Sequence, residues 1–197
     1  RSGTSQLRRD ATPLHATKLV GPLTHAFMRL PAGLQDCYSI ADLRLLARRR
    51  LPRAIFEFFD GGAEDEITLR ANAAAFDEWR WCPHVLRDVS QVSVQQSLFG
   101  QSLGMPAAIA PTGGGGFGRH DADLALAKAA ARHQIPYSLS SSATTRIETI
   151  AEQAGGRLWF QAYVLKDQTH FWRMIDTAKQ CGYEALIITV DLAVRSE

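Results

Sequence analysis

Leu158-Trp159-Phe160-Gln161-Ala162-Tyr163 is an apolar run of strand length that closes on an amide and a phenol. Gln161 and Tyr163 are two residues apart, so on a strand they face the same side. The same pattern recurs around this run: Ala107–Ala110 leads into Pro111-Thr112-Gly113, Pro136–Leu139 into Ser140-Ser141-Ser142, and Leu186–Ile188 into Thr189-Val190-Asp191. The strand starts, near 107, 137, 158 and 185, lie 21 to 30 residues apart, the span of one βα unit. Helix-like stretches fill the gaps, over Asp121–His133 (N-cap Asp121), Ile147–Ala154 and Thr169–Cys181, which makes the strands parallel. Buried parallel strands that each end in hydrogen-bonding groups are how a (β/α) barrel lines its active face. Four units are present where eight close a barrel. The expected fold is therefore α/β, the N-terminal half of a TIM (β/α)8 barrel, with four βα units preceded by helices and a β-hairpin.

Upstream, Ser39 reads as an N-cap with Asp42 in the first turn and Leu43, Leu46 and Ala47 at helical spacing. Pro52 opens a second helix, Arg53 to Asp60, and Gly61-Gly62 closes it. A third is expected over about Asp65 to Trp79. Val85–Val89 and Val92–Leu98 then alternate and are rich in β-branched residues, which predicts a hairpin of the kind that plugs one end of a barrel.

Composition sets limits. A 197-residue chain with 46% apolar and 21% charged residues can bury one core, and a formal net charge of +2 gives no footing for nucleic acid. The excess lies in residues 1–35, where Arg1, Arg8, Arg9, Lys18 and Arg29 oppose Asp10 alone. Residues 1–37 are expected to be a basic leader, disordered or extended, with loose likeness to a transit peptide, and 38–197 a partial domain, an incomplete barrel. Cys37, Cys82 and Cys181 have no metal or disulfide spacing, and no metal site is expected. No apolar run approaches the roughly 18 residues of a transmembrane helix.

The strand ends hold the chemistry. Singly, Thr112, Ser140 or Thr189 would read as caps or turns, but together they put hydroxyls, backbone amides and one side-chain amide on the same edge, where a planar hydrogen-bonding ligand could sit. Gly113-Gly114-Gly115-Gly116 lacks the Lys-Ser/Thr of a phosphate loop and reads as a mobile βα loop whose backbone can approach a ligand. His120, beside Asp121 at a helix start, reads as a surface residue, with general base as the alternative. Glu64-Asp65-Glu66 is explained by the dipole of the helix it begins. His84, His133 and His170 show no ligand spacing, and no Ser/His/Asp arrangement can be drawn.

Five ordered motifs resemble the FMN-dependent 2-hydroxy acid dehydrogenases and oxidases. They are Leu51-Pro52-Arg53 with Glu57-Phe58-Phe59-Asp60-Gly61-Gly62-Ala63-Glu64-Asp65, Met105-Pro106 with Ala110-Pro111-Thr112-Gly113, Leu139-Ser140-Ser141, Trp159-Phe160-Gln161-Ala162-Tyr163-Val164, and Thr189-Val190-Asp191. They run from about Tyr38 to Asp191, and the mandelate dehydrogenase-like members are the most similar. The resemblance implies FMN as cofactor, with the Pro111, Thr112 and Gly113 backbone on the flavin edge and Ser140, Gln161 and Thr189 bonded to the ring. It places Tyr163 at a small (S)-2-hydroxy acid of mandelate or lactate type, which would become the 2-oxo acid. Gly113, where oxidases tend to carry Ala, favours a dehydrogenase.

Two residues depart from the family pattern. Phe58 stands where the family has a carboxylate-binding Tyr, a loss of about 1.5–3 kcal/mol for a hydrogen bond to a charged group. Arg195 comes too early to match the family's substrate-binding Arg. The family's catalytic His, second Arg, flavin-side Lys and phosphate loops belong to later strands, so no catalytic residue is expected in this chain. The resemblance further implies a homo-oligomer, cytoplasmic or peripherally attached to a membrane, with any membrane-binding insert beyond Asp191; the electron acceptor stays open. The alternative is a non-catalytic half-barrel, an interaction module or degraded gene product; a flavin-using isomerase is a lesser one.

Overall fold

The computed structural model describes residues 31–191, so most of the expected leader and Arg195 lie outside the described residues. Internal contacts divide the chain after Leu46. In the first unit a 3-10 turn, Leu34–Asp36, is held by Asp36 Oδ2, which accepts from the Ala32 and Gly33 amides. Helix α1, Ile40–Arg50, starts in that unit and carries the expected cap: Ser39 Oγ accepts from the Asp42 amide while Asp42 Oδ2 accepts from the Ser39 amide.

The second unit holds the rest. Helix α2 runs Arg53–Asp60 and stops where the Gly61 amide donates to Glu57 O, as Pro52 and Gly61 predict. Helix α3, Ile67–Ala75, starts later than expected because Glu66 sits at φ 55°, a left-handed turn that cannot continue a helix, and it tightens to a 3-10 turn at Phe76–Glu78.

The hairpin lies elsewhere than expected. Residues 85–95 form no strand, and the pair is β1, Gln96–Leu98, with β2, Gln101–Leu103. The turn explains the choice: Phe99 and Gly100 both take positive φ (54° and 74°), the two-residue hairpin geometry whose twist suits the flanking strands. The cost of positive φ at Phe99 is offset by its ring, which meets Trp159 edge-on at 6.0 Å. Arg157 Nη2 also donates to Leu98 O, fastening the hairpin beneath the main sheet.

That sheet is parallel, in the order β3 (Tyr137–Ser140), β4 (Leu158–Tyr163), β5 (Ala185–Thr189), with α6 (Ile147–Ala154) and α7 (Gln168–Gln180) as crossovers. The three strand starts fall where the sequence puts them. The fourth expected strand, Ala107–Ala110, contributes only a parallel bridge from Ile109 to Tyr137. Pro106 and Pro111 flank it and lack the amide donors that a ladder needs. The glycine run is no open loop either, since Gly115–Gly118 closes into a one-turn helix, α4. Helix α5 spans Ala122–Arg132, and Asp121 does not cap it: at φ 56° its carboxylate meets His120 Nδ1 at 2.9 Å instead.

Strand alternation sorts the side chains. Leu139, Leu158, Phe160 and Ala162 pack with Ala127 and Ala130 of α5, Ile150 of α6 and Phe171 and Ala178 of α7 to form the core. The opposite face carries Ser138, Ser140, Gln161, Tyr163 and Thr189. Two core-edge phenols are tied down: Tyr137 OH donates to Asp123 Oδ1 and Tyr183 OH to Ile147 O. Burial pushes both phenols up from the ordinary 10.0, with the Asp123 charge adding to the effect at Tyr137. Their contribution to stability is thus fully present below about pH 10 and is lost as pH rises further. Ultraviolet titration should leave these two of the four tyrosines protonated at about pH 11, until the fold gives way. Ionisation of all four before unfolding would contradict this.

Candidate functional site

At the carboxyl ends of β3, β4 and β5 lies a cleft of about 430 Å³, lined by Pro111, Gly113, Ser140, Ser142, Gln161, Tyr163, Thr189 and Asp191. Six of the seven residues singled out from sequence meet there; the seventh, Thr112, is exposed and outside the lining. Ser142 and Asp191 join them. Asp191 was legible only as the end of a motif, and Ser142 only as the third of three serines.

Gln161 organises the cleft. It is 2% exposed, and β4 carries it between its neighbours on both sides. Its Oε1 accepts from Ser140 Oγ at 3.0 Å and from the Ser141 amide at 3.3 Å. Its Nε2 donates to Thr189 Oγ1 at 2.8 Å. A backbone N–H can only donate, so the Ser141 contact fixes which end of the amide is oxygen. The remaining valences follow. Gln161 Nε2 keeps one hydrogen, and Thr189, already accepting, keeps its hydroxyl hydrogen to donate. Ser140 Oγ donates to Gln161 and accepts from the Ser142 amide. The floor therefore keeps two donors, on Gln161 of β4 and Thr189 of β5, and one acceptor lone pair, on Ser140 Oγ of β3.

The first wall is backbone. The Gly114 amide donates to Ser142 O at 3.0 Å, holding the glycine run against the loop after β3. A Cβ added at Gly113 would lie 3.0 Å from Ser142 Cβ, so the space between these two lining residues depends on glycine. A flat ring with alternating carbonyl and N–H groups along one edge suits this lining, and the pyrimidine edge of a flavin is such a ring.

Other candidates stand apart. His120 and Asp121 are exposed and outside the cleft lining. Phe58 meets Phe59 and Phe117 edge-on, with centroids 5.1 and 6.4 Å away, and also lies outside the lining. Among the described residues no His, Cys, Asp or Glu cluster could hold a metal. Nor is any helix among them long and apolar enough to cross a membrane.

Fold and cleft together define an α/β protein that offers a hydrogen-bonding ligand site at the carboxyl edge of a parallel sheet. Comparison with known proteins makes the class specific. A family profile described as FMN-dependent dehydrogenase matches residues 47–197, and the chain belongs to that family. It is 39% identical over 160 residues to (S)-mandelate dehydrogenase of Pseudomonas putida, covering 81% of this chain and 40% of that protein. It is 40% identical over 154 residues to an L-lactate dehydrogenase of Pseudomonas syringae pv. syringae, covering 78% and 40%. A crystal structure of the monotopic membrane protein (S)-mandelate dehydrogenase superposes with a TM-score of 0.78 at 39% identity, over 81% of this chain and 43% of that one. A mandelate oxidase structure gives 0.75 at 35% identity, over 79% and 47%. The chain thus spans about 40% of the length of the curated relatives it matches.

Proposed function

We propose that this chain is the N-terminal half of a (β/α)8 barrel that oxidises a small (S)-2-hydroxy acid, mandelate- or lactate-like, to the 2-oxo acid with FMN. The Gln161 bridge carries the reading, because one amide sets the donors and acceptors of three strand ends against a single planar ligand. Ser140, Gln161 and Thr189 would hold the ring edge, with the Pro111 and Gly113 backbone beside it. Tyr163 lies one residue pair beyond Gln161 on the same strand face, where its phenol can bond the substrate hydroxyl or carboxylate. FMN bound there would supply the acceptor for the substrate's α-hydrogen and its electron pair. The base and the cationic carboxylate clamp would come from strands beyond this chain.

The half-barrel part of the reading has its own support. Leu186 and Ile188 lie on the helix side of β5 yet are exposed, as are Trp79, Trp81 and Leu86. Trp159 Nε1 is buried with no acceptor among the described residues. Further strands and helices of a barrel would cover the first and satisfy the second. Peripheral membrane association follows the monotopic relative.

The test is anaerobic mixing of the whole protein bearing this chain with (S)-mandelate and (S)-lactate. Bleaching of the visible flavin absorbance by either acid is the expected result. A protein that holds flavin but is bleached by neither overturns the substrate assignment. One that folds without flavin and turns over neither acid is the non-catalytic module.

A further inference from the structure

We propose that Asp123 is a positioning residue for the flavin-facing wall, its carboxylate clamping the loop after β3 so that the loop holds both Ser140 and the glycine backbone in place. The inference rests on the flavin reading above. Asp123 is 1% exposed in the first turn of α5, on a helix otherwise rich in alanine. Burying a carboxylate there is costly unless its oxygens are satisfied. They are: Oδ2 accepts from the Thr144 amide at 3.0 Å, Thr144 Oγ1 at 2.9 Å and the Thr145 amide at 3.1 Å. Oδ1 takes the Tyr137 hydroxyl at 3.4 Å.

The clamped loop reaches the cleft by three rungs. Thr144 Oγ1, donating to Asp123, accepts from the Gly116 amide at 2.9 Å. Ser142 O accepts from the Gly114 amide, and the Ser142 amide donates to Ser140 Oγ, which bonds Gln161. A carboxylate that lies outside the cleft lining therefore fixes two of its walls at once. It also explains a carboxylate where alanine would serve the helix: without it the donors that precede α6 would have only solvent to bond, and nothing would tie the loop to α5.

The test compares D123A, D123N and T144V in the whole protein. FMN affinity is read by flavin fluorescence quenching, amide exchange at Gly114, Gly116, Thr144 and Thr145 by NMR, and thermal unfolding without FMN separately. Releasing the Thr144 and Thr145 donors from the carboxylate should loosen the loop, weaken FMN binding by about tenfold in D123A and speed exchange at all four amides. Asn keeps an oxygen for the same donors, so D123N should recover most of the affinity. T144V should speed Gly116 exchange and weaken binding less than D123A. FMN affinity unchanged in D123A overturns the proposal, as does D123N behaving like D123A. If D123A fails to fold, T144V decides: unchanged affinity and Gly116 exchange overturn it. A wild-type protein that binds no FMN sinks the flavin reading itself, whereas wild type and D123A binding equally sink only the role of Asp123.

Discussion

Replacing Gln161 with leucine is expected to weaken FMN binding by the whole protein by about a hundredfold, the equivalent of roughly 2.7 kcal/mol. Leucine matches the shape but neither donates nor accepts. Ser140 Oγ, the Ser141 amide and Thr189 Oγ1 would each lose a partner, the first of them buried. Each orphaned group costs about 1–3 kcal/mol, shared between fold stability and ligand affinity. Glutamate at the same position separates the two. It keeps both acceptor contacts on the β3 side, and the Thr189 hydroxyl can turn to donate to it, so folding should suffer less than in Q161L. The donor facing the ligand is lost in either case. Fluorescence titration alongside thermal melts of the apoprotein reads both effects. FMN bound by Q161L as tightly as by wild type would remove Gln161 from the proposed site.

Phe160→Ala should cost about 3–5 kcal/mol of folding stability. Phe160 is 1% exposed, sits in the core between β4 and the helices, and meets Tyr183 edge-on at 6.2 Å. In this chain taken by itself, its register partner on β5, Leu186, makes the control: at 45% exposure, L186A should cost under about 1 kcal/mol. Urea denaturation of the two variants checks the pair. Similar losses would mean that the core does not divide between β4 and β5 as described.

Residues with local reasons were the legible ones. Helix α2 is bracketed by Pro52 and Gly61, α6 falls where its periodicity puts it, and β3, β4 and β5 are apolar runs of the right length. The cleft was legible for the same reason, since strand ends fix which residues converge. What stayed hidden depends on long-range partners or backbone angles. The alternating valines at 85–95 mimic a hairpin, but a two-residue turn at Phe99-Gly100 captured the pairing. Asp121 has the side chain of a cap and the φ of a left-handed turn, which no composition rule reports. Asp123 looks like an ordinary first-turn acid, and its partners Thr144 and Thr145 lie 21 and 22 residues away. Phe58 was read as a lost hydroxyl; its neighbours are two aromatic rings, Phe59 and Phe117.

Strand β5 has one further consequence. It pairs with β4 along one side, and it is the outermost strand of the sheet among the described residues. Its sequence, Ala185-Leu186-Ile187-Ile188-Thr189, carries no charge and no proline. Natural sheets usually blunt such an edge with charge or bulges to stop it recruiting strands from other molecules. An edge left without such blunting is one to which a further strand can pair. A neighbouring strand paired along β5, as the proposed barrel would supply, would cap this edge.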